Sequence, residues 1–359
     1  MIKIAYFTLL GAIALMGAEN RLSPELQKHY FQKKEIRTEN DKWLEQVIIS
    51  GPPVPPKGFK RSTVDTDEIK YTTRGSTKII STPAFSWSFG CSATSAAMIA
   101  GYYDRNGYPD IYTGPTNGGV MPLDNSVWPD WTDNSGAVRH QCPLSATHKG
   151  LDGRTEKGHV DDYWVQYNDQ GEDPYQTNGW SQHTHSMCTG DFMKTNQAFN
   201  YYESSQYGNR DGATTFYYWS EGEPLTAEKM EQLGVQDQDG AYGFKRFMES
   251  RGYEVTTLYT QLINPYVAGG FTFEQYKAEI DASHPVLIHV KGHTMEGVGY
   301  DDGTDKKVYV HDTWDYNMHS FVWGESYSGM EQWGVSVLHL KKPEAPVKTF
   351  APVYYLLEE

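Results

Sequence analysis

The sequence is short of cysteine, of positive charge and of long apolar runs. Three cysteines in 359 residues are too few for a disulfide-built scaffold, so folding must rest on a hydrophobic core. Their odd number leaves one thiol over in any pairing. Lys and Arg total 31 against 46 Asp and Glu, a formal net charge of -15, and such a surface repels nucleic acid and anionic lipid. The N-terminal apolar run from Ile4 to Ala18 falls short of the roughly 18 to 20 residues that a membrane-spanning helix needs. No later segment is long and apolar enough, so no membrane span is expected. There is also no internal repeat, no G-x-S-x-G elbow and no phosphate-binding glycine loop.

What is present begins with Lys3, the one charge before Ala18, followed by that apolar run and small residues. Residues 1–18 read as a secretory signal peptide, which makes the mature protein secreted or periplasmic. Residues 19–75 form a charged extension. Within it, Pro24 to Ile48 has the composition of a weakly amphipathic helix, and "GPPVPPKG" from Gly51 reads as a stiff, extended linker. This extension is either an inhibitory pro-region or a docked N-terminal arm. A globular domain is expected over 76–345, with a loop-rich insertion over about 106–240, and residues 346–359 make a tail. Aromatic residues are 14% of the chain, including 26 Tyr and 10 Trp, so rings fill much of the core.

Ala93, Ala96, Ala97 and Ala100 recur at helical spacing after Cys91, a small-residue stripe that lets a helix approach a sheet closely. After Gly240 come a helix carrying Phe244, Phe247 and Met248, a strand from Tyr253, and a helix from Thr272 with Phe273, Tyr276 and Ile280 on one face. "VLIHV", "TMEGVGYD", "KVYVHD" and "VSVLHL" then read as strands. The fold class is α+β, a helix packed on an antiparallel sheet.

Cys91 stands where that first helix begins. Unpaired N–H groups at a helix N-terminus lower a thiol pKa and can also hold an oxyanion. From position alone Cys91 is equally readable as a buried small residue or half of a disulfide. His293 opens one strand and Asp312 ends the next. An antiparallel hairpin would bring them together, the acid orienting the imidazole and fixing its tautomer.

"GCSATSAAMIAGYYD", "HPVLIHVKGHTMEGVGYDD" and "VYVHDTWD" resemble the corresponding stretches of stand-alone domains similar to the bacteriocin-processing, double-glycine cysteine peptidases of the papain-like superfamily. The resemblance covers roughly residues 78–104 and 270–340. It implies a papain-like fold, a peptide or protein substrate, and a site in which Cys91 is the nucleophile, His293 the general base and acid, and Asp312 the orienting group. The family's glutamine ahead of the cysteine has no counterpart in "PAFSWSFGC"; Ser86, Trp87 or Ser88 are the candidate oxyanion donors in its place. A reduced Cys91 leaves Cys142 and Cys188 to form a disulfide. Two rival readings stand beside this one: a thiol acyltransferase or non-peptide amidase that uses the same residues, and a degenerate, non-catalytic module whose Trp and Tyr in the insertion bind glycan or protein.

No metal or other cofactor is expected in the site. His289 and His293 lack the sequence context of a zinc motif, and His183, His185 and Cys188 are read as loop residues rather than ligands. Asp237 begins a stretch resembling a calcium loop, but Arg246 falls where a glutamate is required. Structural calcium at "DDGTD" or "VDD" is the remaining metal expectation.

Overall fold

The computed structural model describes residues 31–38, 41–65, 75–88, 90–114, 116–132, 138–146, 188–195 and 212–343. The expected signal peptide and C-terminal tail, "VDD", His183 and His185 lie outside the described residues. The strands are β1 (Phe31–Arg37), β2 (Trp43–Ile49), β3 (Ser62–Thr63), β4 (Thr77–Ile79), β5 (Asp130–Thr132), β6 (Val138–His140), β7 (Thr214–Trp219), β8 (Leu225–Thr226), β9 (Val255–Leu262), β10 (Val286–Val290), β11 (His293–Asp301), β12 (Lys307–His311), β13 (Met318–Val322), β14 (Ser326–Tyr327) and β15 (Met330–Leu340). The helices are α1 (Cys91–Arg105), α2 (Thr189–Met193), α3 (Ala227–Gln232), α4 (Gly240–Ser250) and α5 (Phe273–Asp281). Among the described residues no helix is long and apolar enough to cross a membrane.

The larger sheet is antiparallel along β3-β13-β12-β11-β10-β15-β9-β8, so the fold is α+β. Its centre is covered on both faces, which is why β10 is one unbroken apolar run interrupted by a single histidine. On one face α1 ties Ser92 Oγ to Thr294 Oγ1 at 2.9 Å, and Phe216 of β7 meets the His289 ring at 4.2 Å. On the other face α5 sets Tyr276 against Ile288 and Gly297. The start of α5 is fixed by a reciprocal cap between Thr272 and Gln275. Phe273, Tyr276 and Ile280 are its buried stripe. Helix α1 is buried from Cys91 to Asp104, with Ala93, Ala96, Ala97 and Ala100 fully buried.

The extension departs from its helical composition. Its described part forms β1 and β2, paired in register from Phe31 with Ile49 to Arg37 with Trp43, and β2 pairs in turn with β7. Lys, Glu, Gln and Leu favour helix locally. Here Val47 and Ile49 instead alternate into the core beside β7, with Leu44 buried as well, and tertiary pairing outweighs a weak propensity. Strand β7, "TTFYYW", is itself buried throughout, in a stretch read as loop-rich.

Candidate active site

Cys91 is the first residue of α1. Its predecessor Gly90 has φ 131, and a Cβ there would lie 2.7 Å from the Gly212 carbonyl oxygen. Only glycine enters the helix along that path. The first intrahelical bond runs from Thr94 N to Gly90 O, 3.0 Å, and the Thr94 hydroxyl donates to the same carbonyl at 2.8 Å. The N–H groups of the first turn, from Cys91 onward, therefore have no partner within the helix.

A two-residue turn, Lys291–Gly292, separates the paired residues Val290 and His293 and delivers His293 as the first residue of β11. Thr294 then locks strand to helix. It takes the Ser92 hydroxyl on its side chain, and its carbonyl accepts from Ser95 Oγ at 3.2 Å. Thr294 Oγ1 also meets His289 Nδ1 at 3.1 Å, and His289 Nε2 meets Ser336 Oγ at 2.8 Å. His289 is thus a buried structural imidazole, held down at about 3 by burial.

His293 Nδ1 faces the Cys91 sulfur. A Cβ placed on Gly51 would lie 2.3 Å from that nitrogen and 2.5 Å from Cys91 Sγ, and Nδ1 is buried with no hydrogen-bond partner among the described residues. Nε2 lies 2.6 Å from the main-chain carbonyl of Asp312, to which it can donate, and the ring stacks on Trp314 with centroids 4.1 Å apart. Burial pushes the Cys91 thiol up, but His293 and the backbone of Thr294 and Gly51 outweigh it and bring the thiol below its ordinary value. Burial likewise opposes charge on His293, while Cys91 and Asp312 raise it. The two shifts agree on a thiolate–imidazolium pair.

Asp312 is fully buried and adjacent to His293, yet its carboxylate points elsewhere. The contact with the imidazole is made by its main chain. The carboxylate accepts from Arg61 Nη1 at 2.7 Å, Tyr327 OH at 2.6 Å and Trp314 N at 3.1 Å. Arg61 also holds Asp315 at 2.8 Å. Thr313, next in sequence, has φ 64, a strained conformation for a β-branched residue and a mark of a constrained site.

Of the oxyanion candidates, Ser86 is committed: its N–H and hydroxyl both donate to Asn125 Oδ1, and its carbonyl accepts from Asn125 Nδ2. The Trp87 side chain is part of the core. The Ser88 hydroxyl is buried without a hydrogen-bond partner among the described residues, which makes it the side-chain donor of the three still uncommitted there.

The expected Cys142–Cys188 bridge is not formed. None of the three cysteines is in a disulfide and all are buried. Cys142 is a core residue whose thiol burial pushes up to about 12, the opposite of Cys91, and Cys188 is the N-cap of α2. Asp302 of "DDGTD" is occupied by Lys277 and the Ser76 amide, and Asp237 pairs with Arg246 at 2.6 Å. Metal-ligating atoms do converge at Glu279, His284 and His339 and at Asp312, Asp315 and His319, but Arg61 sits in the second group.

No family model, curated protein or solved structure matches this chain. The chemistry is read from geometry alone. A cavity of about 680 Å³ lies between the β1–β2 hairpin and α3, lined by residues such as Ile36, Leu44, Trp219 and Lys229. It contains none of Cys91, His293 or Asp312, and the Cys91–His293 pair is closed over by Gly51 and Pro52. Arg61, Gly51, Ser92 and Thr294 are site residues that sequence reasoning missed. The small polar residues directly after Cys91 and His293 were a signal for the last two.

Proposed function

We propose that this chain is an exported cysteine peptidase of papain-like architecture. Its Cys91 thiolate attacks a peptide carbonyl, His293 protonates the leaving amine, and the resulting thioester is hydrolysed by water that His293 activates. The observation that carries this reading is the thiol at a helix N-terminus opposite an imidazole Nδ1 whose other nitrogen is fixed by a carbonyl. That arrangement prepares a nucleophile and its base together, whereas a core cysteine is pushed up as Cys142 is. The close approach of main chain at Gly51 to this pair favours a peptide over a small amide. The test is the shape of the pH profile for iodoacetamide alkylation of Cys91. Reaction already at its plateau near about pH 6, and lost in His293→Ala, is expected of the ion pair; a rise only near the free-thiol value of about 8.5 overturns it.

A further inference from the structure

The reacting pair is covered by the chain's own extension. Strand β2 is held against β7 through Leu44, Val47 and Ile49, all buried. The chain then continues through Ser50, Gly51 and Pro52, also buried. The Pro52 carbonyl accepts from Trp314 Nε1 at 2.8 Å, the same indole that stacks on His293. Farther on, Phe59 lies 6.2 Å from the Trp314 ring, and Arg61 reaches Asp312 and Asp315. Finally β3 pairs with β13. The extension is thus anchored before the site by one sheet and after it by the other.

Resting on the peptidase reading above, we propose that residues 43–63 are an intramolecular strap that keeps this enzyme latent at two points, Gly51 filling the place of the scissile peptide and Arg61 diverting the Asp312 carboxylate. A reacting carbonyl must come within about 3–3.5 Å of the sulfur. That space belongs to Gly51, whose backbone passes so close that a single added carbon would overlap both reacting atoms. The run of prolines after Gly51 restricts the unbound strap, so ordering it over the site costs less entropy. Arg61 supplies the second lock. While it neutralises Asp312, the carboxylate adds little to the charge on His293. When the strap leaves, Arg61 leaves with it. Asp312 keeps Tyr327 and the Trp314 N–H, and its uncompensated charge then favours the imidazolium. Release therefore opens the site and charges it in one movement.

The test is site-resolved iodoacetamide labelling of the full chain at pH 7, read by peptide mass, for the natural sequence, Gly51→Val and Arg61→Gln. Labelling through an occluding segment follows the fraction of time the segment is open. Cys91 should react about 100-fold faster in Gly51→Val and about tenfold faster in Arg61→Gln, with Cys142 and Cys188 unreactive in all three as proof that the core is intact. Equal Cys91 rates in the natural chain and Gly51→Val overturn the strap. Should Gly51→Val also expose Cys142, Gly51→Ala gives the same comparison with one added methyl group, and an unchanged Cys91 rate there overturns the strap equally. Hydrolysis of unstructured peptides by the Gly51→Val chain is followed in parallel. Fast labelling without hydrolysis sustains the strap and sinks the peptidase; unchanged labelling with hydrolysis does the reverse.

Discussion

The β1–β2 hairpin and the β10–β11 hairpin are both antiparallel ribbons, but they are built for different fates. Strands β10 and β11 are buried along almost their whole length, covered by α1 and β7 on one face and α5 on the other. Strand β1 is mostly exposed, and β2, between β1 and β7, buries Leu44, Glu45, Val47 and Ile49. The first ribbon is the centre of the core and carries His293; the second is a one-sided attachment that carries Gly51 to it. A segment with few apolar anchors belongs to the low-stability end of a protein, which is where a releasable cover has to be drawn from. On the proposed reading, catalytic geometry is placed in the buried ribbon and restraint in the attached one.

The strongest way to break this division is at the chemistry. Measured in the Gly51→Val background so that the cover is absent, His293→Ala should lower peptide hydrolysis by about a thousandfold or more, and Cys91→Ala should abolish it. A hydrolytic rate that survives either change would remove the reason to regard β11 as the catalytic ribbon.

Next in size is a matched pair of core truncations. Leu287→Ala and Ile49→Ala both empty fully buried positions, and each should cost about 2–5 kcal/mol of packing. The cost should appear in different places. Leu287→Ala lowers the thermal midpoint of the whole domain, whereas Ile49→Ala chiefly speeds Cys91 labelling and moves the midpoint less. Equal midpoint losses with no change in labelling would show that the two ribbons unfold as one unit.

The central ribbon was legible because its signals are local. A short strand-like run such as "VLIHV", a capping pair at Thr272 and Gln275, and the alanine stripe after Cys91 each state their structure within a dozen residues. The covering ribbon was not. Its residues are good helix formers, and what makes them strands is β7, more than 150 residues away. The run "TTFYYW" is a strand signature in composition, hidden among aromatic-rich loops. Gly51 and Arg61 act only through residues brought to them by the fold, so no spacing rule points to either. Asp312 shows the finer limit. Strand adjacency brings it beside His293, but which of its atoms meets the ring is decided by Arg61 and Tyr327.

The smallest effects set the two ribbons apart by pH. In the core, burial holds His289 down at about 3, while an unfolded histidine takes its proton near about 6.5. The unfolded chain binds the extra proton, so this stabilisation is complete above about 6.5 and is lost as the pH falls toward 3. Glu279, on α5, follows in the same direction. Burial pushes its carboxyl up, but His284 and His339 more than offset this and hold it at about 2. Its contribution is present above the unfolded value of about 4.3 and fades below it. The covering ribbon has the opposite sign. Burial opposes charge on Lys33, yet Glu45 and Glu35 raise its pKa above the ordinary lysine value, and Lys42 is raised by Glu223. The folded ribbon then holds protons that the released one gives up. Its stabilisation is complete below about 10.5 and is lost as the pH rises through the raised values. Near-ultraviolet circular dichroism should therefore report loss of the core in acid, and cleavage within 31–63 by an alkaline serine protease should report release of the cover in base before the core responds. Release of the cover in acid ahead of the core would mean that Arg61 and Asp312, not the lysine pairs, dominate its attachment.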